Sequence, residues 1–142
     1  MSRKSEYLEK IEFEFELIET ELDIIDTLKK IEANRELDDI QIRAAAGSLH
    51  SIYNGIEKVL IFKYQELDIV IPNDEKWHAT LLIEGKNRNM VSEELEIELR
   101  EIMGFRHFYR HAYGFMLDID LLSPLLNKIR NIVSRLKDEI IR

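Results

Sequence analysis

Along the first third of the chain, apolar residues return at steps of three and four. Leu8, Ile11, Phe15, Ile18, Leu22 and Ile25 make one stripe, and Glu9, Glu12, Glu16 and Glu19 fall off it. This is the period of a helix with one buried face, and it predicts a helix over residues 4–33. The polar stretch 34–39 ends it and offers Asp38 or Asp39 as the N-cap of a second helix. Ile42, Ala45, Leu49, Ile52, Ile56 and Val59 mark that helix, which should run to Asp68. Ile71-Pro72-Asn73-Asp74 is a breaker followed by capping residues, so Glu75 to Ile83 reads as a short third helix and 85–89 as a loop. Ser92 caps a fourth helix. It opens with Glu93 and Glu94, which complement the helix dipole, and continues through Leu95, Leu99, Ile102, Phe105 and Phe108. Ser123 followed by Pro124 reads as an N-cap with proline at the first helical position, before the stripe Ile129, Val133, Leu136 and Ile140. No segment alternates as a strand does. The pattern predicts an all-α, up-and-down bundle of five helices.

A length of 142 residues suits a single domain over residues 1–142. With 45% hydrophobic and 34% charged residues the chain has the composition of a globular protein. The absence of an apolar run long enough to span a bilayer, and of an apolar core in MSRKSEYLEK, predicts a cytoplasmic protein with no membrane partner. There is no cysteine, so histidine must carry any proton chemistry near neutral pH. The net charge of -8 argues against a general nucleic-acid coat but leaves room for a local basic site. Acids concentrate early: residues 1–39 hold 13 of the 28, against six Lys and Arg.

Against that background GFRHFYRHAYGF, residues 104–115, holds two Arg, two His and two Tyr with no acid. On an ideal helix Phe105, Phe108, Ala112 and Phe115 gather on one side and are expected to pack inward. Arg106, Tyr109, Arg110 and Tyr113 share a second face, and His107 and His111 a third. Arg106 and His111 are then about 140° apart, so a shared site needs Arg106 to reach around or the helix to distort. If they converge, the imidazole can take the proton of an RNA 2′-hydroxyl and the guanidinium can hold the phosphate in a fork, leaving a cyclic phosphate. His107 and His111 at i, i+4 can also be read as metal ligands, although no HExxH pattern accompanies them. A plainer reading is that basic residues complement the end of a helix and the aromatics are core.

Other features carry the same two readings. Trp77-His78 is a recognition pair or a core anchor, and His50 with Tyr53 is packing or interface. Lys86 and Arg88 lie in a basic loop that can guide RNA or simply be solvated, and the acidic first helix is a solvated face or one that opposes a basic partner.

Arg106-x4-His111-x-Tyr113, within FRHFYRHAYGF and together with IPNDEKWHATLL at residues 71–82, resembles the HepT-like branch of the HEPN ribonuclease superfamily. The resemblance implies a homodimeric, metal-independent endoribonuclease without cofactor, the toxin of a toxin-antitoxin pair whose antitoxin is a minimal nucleotidyltransferase. It implies cleavage of RNA to 2′,3′-cyclic phosphate, with the motifs of two protomers facing across a cleft. It maps Arg106 to the phosphate-stabilising arginine, His111 to the general base or acid, and Tyr113 to the tyrosine that receives AMP. Arg110 and His107 exceed the minimal motif and are placed as auxiliary phosphate or RNA contacts. On a continuing helix Tyr113 would stack one and two turns from Tyr109 and Arg106. The alternative within the family is a bundle without catalysis that serves as the partner of a nucleotidyltransferase. Outside the family, the chain reads as a plain helical interaction protein.

Overall fold

The computed structural model describes residues 2–141, apart from the side chain of Phe115, so the expected inward packing of that phenylalanine falls outside the described atoms. Five α-helices follow in order: α1 (Arg3–Glu32), α2 (Asp39–Glu66), α3 (Trp77–Asn87), α4 (Glu93–His111) and α5 (Ile119–Ile140). A single 3-10 turn (Gly114–Met116) lies between the last two. There is no strand among the described residues. The fold is the all-helical bundle that the periodicity predicts.

Contacts between helix ends give the directions. Arg3 at the start of α1 pairs with Asp68, just past the end of α2, at 2.9 Å. Ser123 near the start of α5 reaches Glu32 at the end of α1, and Glu139 near the end of α5 accepts from the Ser92 cap of α4. Successive long helices therefore run antiparallel. α2 is central and touches all four others. Twelve of its residues are buried, against six of α1, because α2 has neighbours on several sides and α1 is solvated along one face. Arg130 of α5 crosses that acidic face and meets Glu19, Asp23 and Asp26. The pairs are exposed, so they orient the helix more than they stabilise it.

The helix starts follow side-chain caps. The Ser2 and Ser92 hydroxyls accept from backbone N–H groups three residues on, and Asp38 forms a reciprocal box with Gln41. α2 stops at Glu66, short of the expected Asp68, because Asp68 turns left-handed (φ 58°). Its N–H bonds to Gln65 O and that of Ile69 to Tyr64 O, which closes the last turn. The same closure sits at Asn89 (φ 62°), with Asn89 N–H to Lys86 O and Met90 N–H to Gly85 O. This displaces the third helix from the expected 75–83 to Trp77–Asn87 and takes up most of the expected 85–89 loop. Gly85 is buried rather than looped out, and packing overrides its low helix propensity.

Two further corrections affect the candidate site. α5 begins at Ile119, capped by Asp118, so Ser123 is not its N-cap and Pro124 lies inside it. Leu122 explains the earlier start, since it is fully buried on the same stripe as Leu125, Leu126 and Ile129. α4 ends at His111, and Ala112 is extended (φ -94°, ψ 145°). With α5 starting early, the reversal between two antiparallel helices has to occupy residues 112–118.

At Gly55 the two helices α1 and α2 pack tightly: a Cβ there would lie 2.7 Å from Ile18 Cγ1 and 3.0 Å from its Cδ1. Ile18 is buried and cannot swing away. Gly55→Ala is therefore expected to lower stability by about 1–3 kcal/mol through overpacking, although alanine gains about 1 kcal/mol in helix propensity. Urea unfolding followed by circular dichroism checks this, and a more stable variant would mean that the interface repacks freely.

Candidate functional site

His50, Tyr53, Asn54 and Glu57 are polar or aromatic positions in the middle of α2. Their spacing places them along one side of the helix. Asn54 and His50 face α4, where Arg106 Nε donates to Asn54 Oδ1 at 2.9 Å. The other side of the same amide meets His50 Nε2 at 3.2 Å. The His50 ring lies against Tyr109, centroids 4.6 Å apart, and Tyr109 in turn packs on Phe105. His50 Nδ1 is buried without a hydrogen-bond partner. Burial, then the positive charges of Arg106 and Arg110, hold the His50 imidazole below its usual pKa.

Farther along α2, the buried Glu57 carboxylate meets His78 Nδ1 of α3 at 2.6 Å, and Trp77 stacks on His78 with centroids 3.7 Å apart. Trp77 also packs against the core. Tyr53 lies between the two groups, its hydroxyl buried without a geometric partner. Burial, then the Glu57 carboxylate, push that phenol up, so it stays protonated.

The remaining motif residues spread around the end of α4. His107 and His111 are exposed, with ring centroids 4.8 Å apart, as their i, i+4 spacing predicts. Arg106 bonds Asn54 and no other described residue, and no hydrogen bond joins it to His111. The described contacts tie Arg106 to α2 and place His111 beside His107. Among the described residues no group of three or more His, Cys, Asp or Glu could hold a metal ion.

Arg110 lines a cleft of about 430 Å³ with Arg43, Tyr109, Ala112, Gly114 and Leu117. Tyr113 is 69% exposed, beyond the helix end in extended backbone. It therefore does not stack a turn away from Tyr109, as a continuing helix would have required. Phe108 also departs from the expected inward packing. It is 36% exposed, because the buried stripe through Leu95, Leu99, Ile102 and Phe105 next passes to Tyr109. Phe108 instead lines an apolar cleft with Gly104, Phe105, Leu121, Pro124 and Leu125.

A family model of HepT-like proteins matches residues 44–142. The chain belongs to the HepT-like family. The matched part contains α3, α4, α5 and nearly all of α2, and with them every residue of the Asn54–Arg106 cluster and the motif that follows. No curated protein and no solved structure matches this HepT-like protein. No helix among its described residues is long and apolar enough to cross a membrane.

Asn54 and Arg43 are not among the candidates that the sequence motif marks, and His50 is there assigned to packing or interface. The available signal is the polar set 50, 54 and 57, spaced along one side of α2. Which helix would face that set was not legible, since it depends on how α4 lies against α2.

Proposed function

We propose that this HepT-like protein is an endoribonuclease toxin that cleaves RNA without a metal ion and works as a homodimer restrained by a minimal nucleotidyltransferase. The observation that carries the reading is the anchoring of Arg106. Its Nε is tied to Asn54, which leaves the two terminal nitrogens of the fork for a phosphate. His111, exposed five residues farther along α4, supplies the imidazole. With one Arg106 and one His111 in each chain, the working site takes residues from two copies. One imidazole removes the 2′-hydroxyl proton, the oxygen attacks phosphorus, and the 5′-oxygen departs with a proton from an imidazolium. The guanidinium fork stabilises the charge growing on the phosphate. Arg110 and His107 are auxiliary contacts along the RNA path.

Tyr113 is the proposed point of regulation. Its exposure beyond the end of α4 leaves the ring accessible to a nucleotidyltransferase. AMP transferred to the hydroxyl from ATP, with loss of pyrophosphate, would add a bulky anion beside the basic helix end and oppose RNA binding there.

Incubation of the purified chain with RNA in excess EDTA tests the reading. Cleavage to 2′,3′-cyclic phosphate ends is expected. A strict need for added Mg²⁺, or 3′-hydroxyl products, overturns the mechanism. A complete lack of cleavage leaves the bundle as a non-catalytic partner of the nucleotidyltransferase.

A further inference from the structure

A guanidinium has donors only, so the Asn54 atom facing Arg106 Nε must be the carbonyl oxygen. The amide nitrogen then faces His50, and a bond at 3.2 Å requires a lone pair on His50 Nε2. The imidazole must be neutral with its proton on Nδ1. No other partner selects this tautomer, since Nδ1 meets no hydrogen-bonding group. An imidazolium would present N–H to NH₂ and favour turning the amide, which would set NH₂ against the Nε–H of Arg106. The chain of bonds holds together in one polarity.

We propose that His50, acting through Asn54, is a positioning residue for Arg106: its neutral ring fixes the amide, and the amide fixes the roll of the guanidinium that receives the phosphate. The inference rests on the reading of Arg106 as the phosphate-holding group. The groups that face His50 favour the neutral ring. Arg106, Arg110 and Tyr109 come from α4 and Asn54 from its own helix, so the charged neighbours are both cations. No carboxylate bonds to His50 to stabilise an imidazolium.

A pair of substitutions separates this role from packing. His50→Phe keeps a ring against Tyr109 and removes the acceptor, whereas His50→Gln keeps an acceptor and removes the ring. On α2, Asn54→Leu removes the acceptor for Arg106 and Asn54→Asp keeps it. RNA cleavage in EDTA is followed as separate kcat and KM values, with helix content from circular dichroism and the Arg106 Nε–H signal from ¹⁵N NMR. Expected for Asn54→Leu is a roughly ten- to hundredfold fall in kcat, in keeping with loss of a hydrogen bond to a charged group, and for His50→Phe a fall of roughly tenfold, in keeping with loss of a neutral one. KM should change little and the Nε–H signal should weaken, while His50→Gln and Asn54→Asp stay within a few-fold of the wild type.

A His50→Phe variant with wild-type kcat overturns the positioning role alone. So does a His50→Gln variant impaired as much as His50→Phe, which would assign the ring to packing or proton transfer. A wild-type protein that does not cleave RNA removes the reading of Arg106 and this inference with it.

Discussion

Replacing His111 by alanine is expected to reduce RNA cleavage by roughly 10² to 10⁴, the usual effect of losing one positioned acid or base. Arg106→Ala is expected to reduce it by roughly 10² to 10³, as for removal of one preorganised charge-stabilising donor. Neither change should unfold the bundle. His111 is exposed at the last residue of α4, and Arg106 lies outside the buried stripe. The larger structural penalty falls on Arg106→Ala, which leaves the Asn54 carbonyl without its donor and costs about 1–3 kcal/mol. Arg106→Lys restores the charge without the fork or the Nε anchor, and should recover RNA binding more than turnover. Growth arrest on expression and single-turnover cleavage check both residues. A variant that still cleaves RNA at the wild-type rate removes its residue from the mechanism.

Separating two copies of the chain is expected to be at least as damaging. Phe108 on α4 and Leu121 on α5 stand 36% and 48% exposed. They line a mainly apolar cleft of about 470 Å³ together with Gly104, Phe105, Pro124 and Leu125, with Glu101 and Asp120 at its border. An apolar patch next to the Arg106-x4-His111-x-Tyr113 motif is where a second copy would bury surface and bring its own motif close. The double variant Phe108→Asp/Leu121→Asp places two carboxylates in that patch. It is expected to sediment as a monomer at micromolar concentration and to lose cleavage by roughly 10² or more, since a composite site loses a positioned group. A monomer that retains full activity would show that one chain suffices. A variant that remains dimeric would place the interface elsewhere on the bundle.

Helix existence was legible throughout, because burial of one face imposes a 3.6-residue period that needs no knowledge of the partner helix. The ends were legible only where a side chain supplies the cap. Ser92 was read correctly, and Asp38 was one of the two residues expected to cap α2. The left-handed closures at Asp68 and Asn89 were missed because neither residue is the glycine that usually marks them. Ser123-Pro124 has the form of a helix start, yet the helix passes through it. Burying Leu122 keeps residues 119–123 helical even though Pro124 has no N–H to bond the Asp120 carbonyl.

The motif Arg106-x4-His111-x-Tyr113 could be read directly, and with it the family, because a family pattern is local in sequence. Its geometry could not. An ideal helix puts Arg106 and His111 on different faces, and the structure ties Arg106 to α2 and lays His111 against His107. The place of Tyr113 depended on where α4 stops, and that followed from the early start of α5 on the far side of the turn.

The sequence by itself determined the helical period, the acidic face of α1 and the basic, acid-free run at the end of α4, since each rests on residues within a few turns of one another. The tertiary structure alone decided that Asn54 and His50 support Arg106. Residues 50, 54 and 106 meet only when α4 packs across α2, and the choice of facing residues is settled by how two helix surfaces interlock.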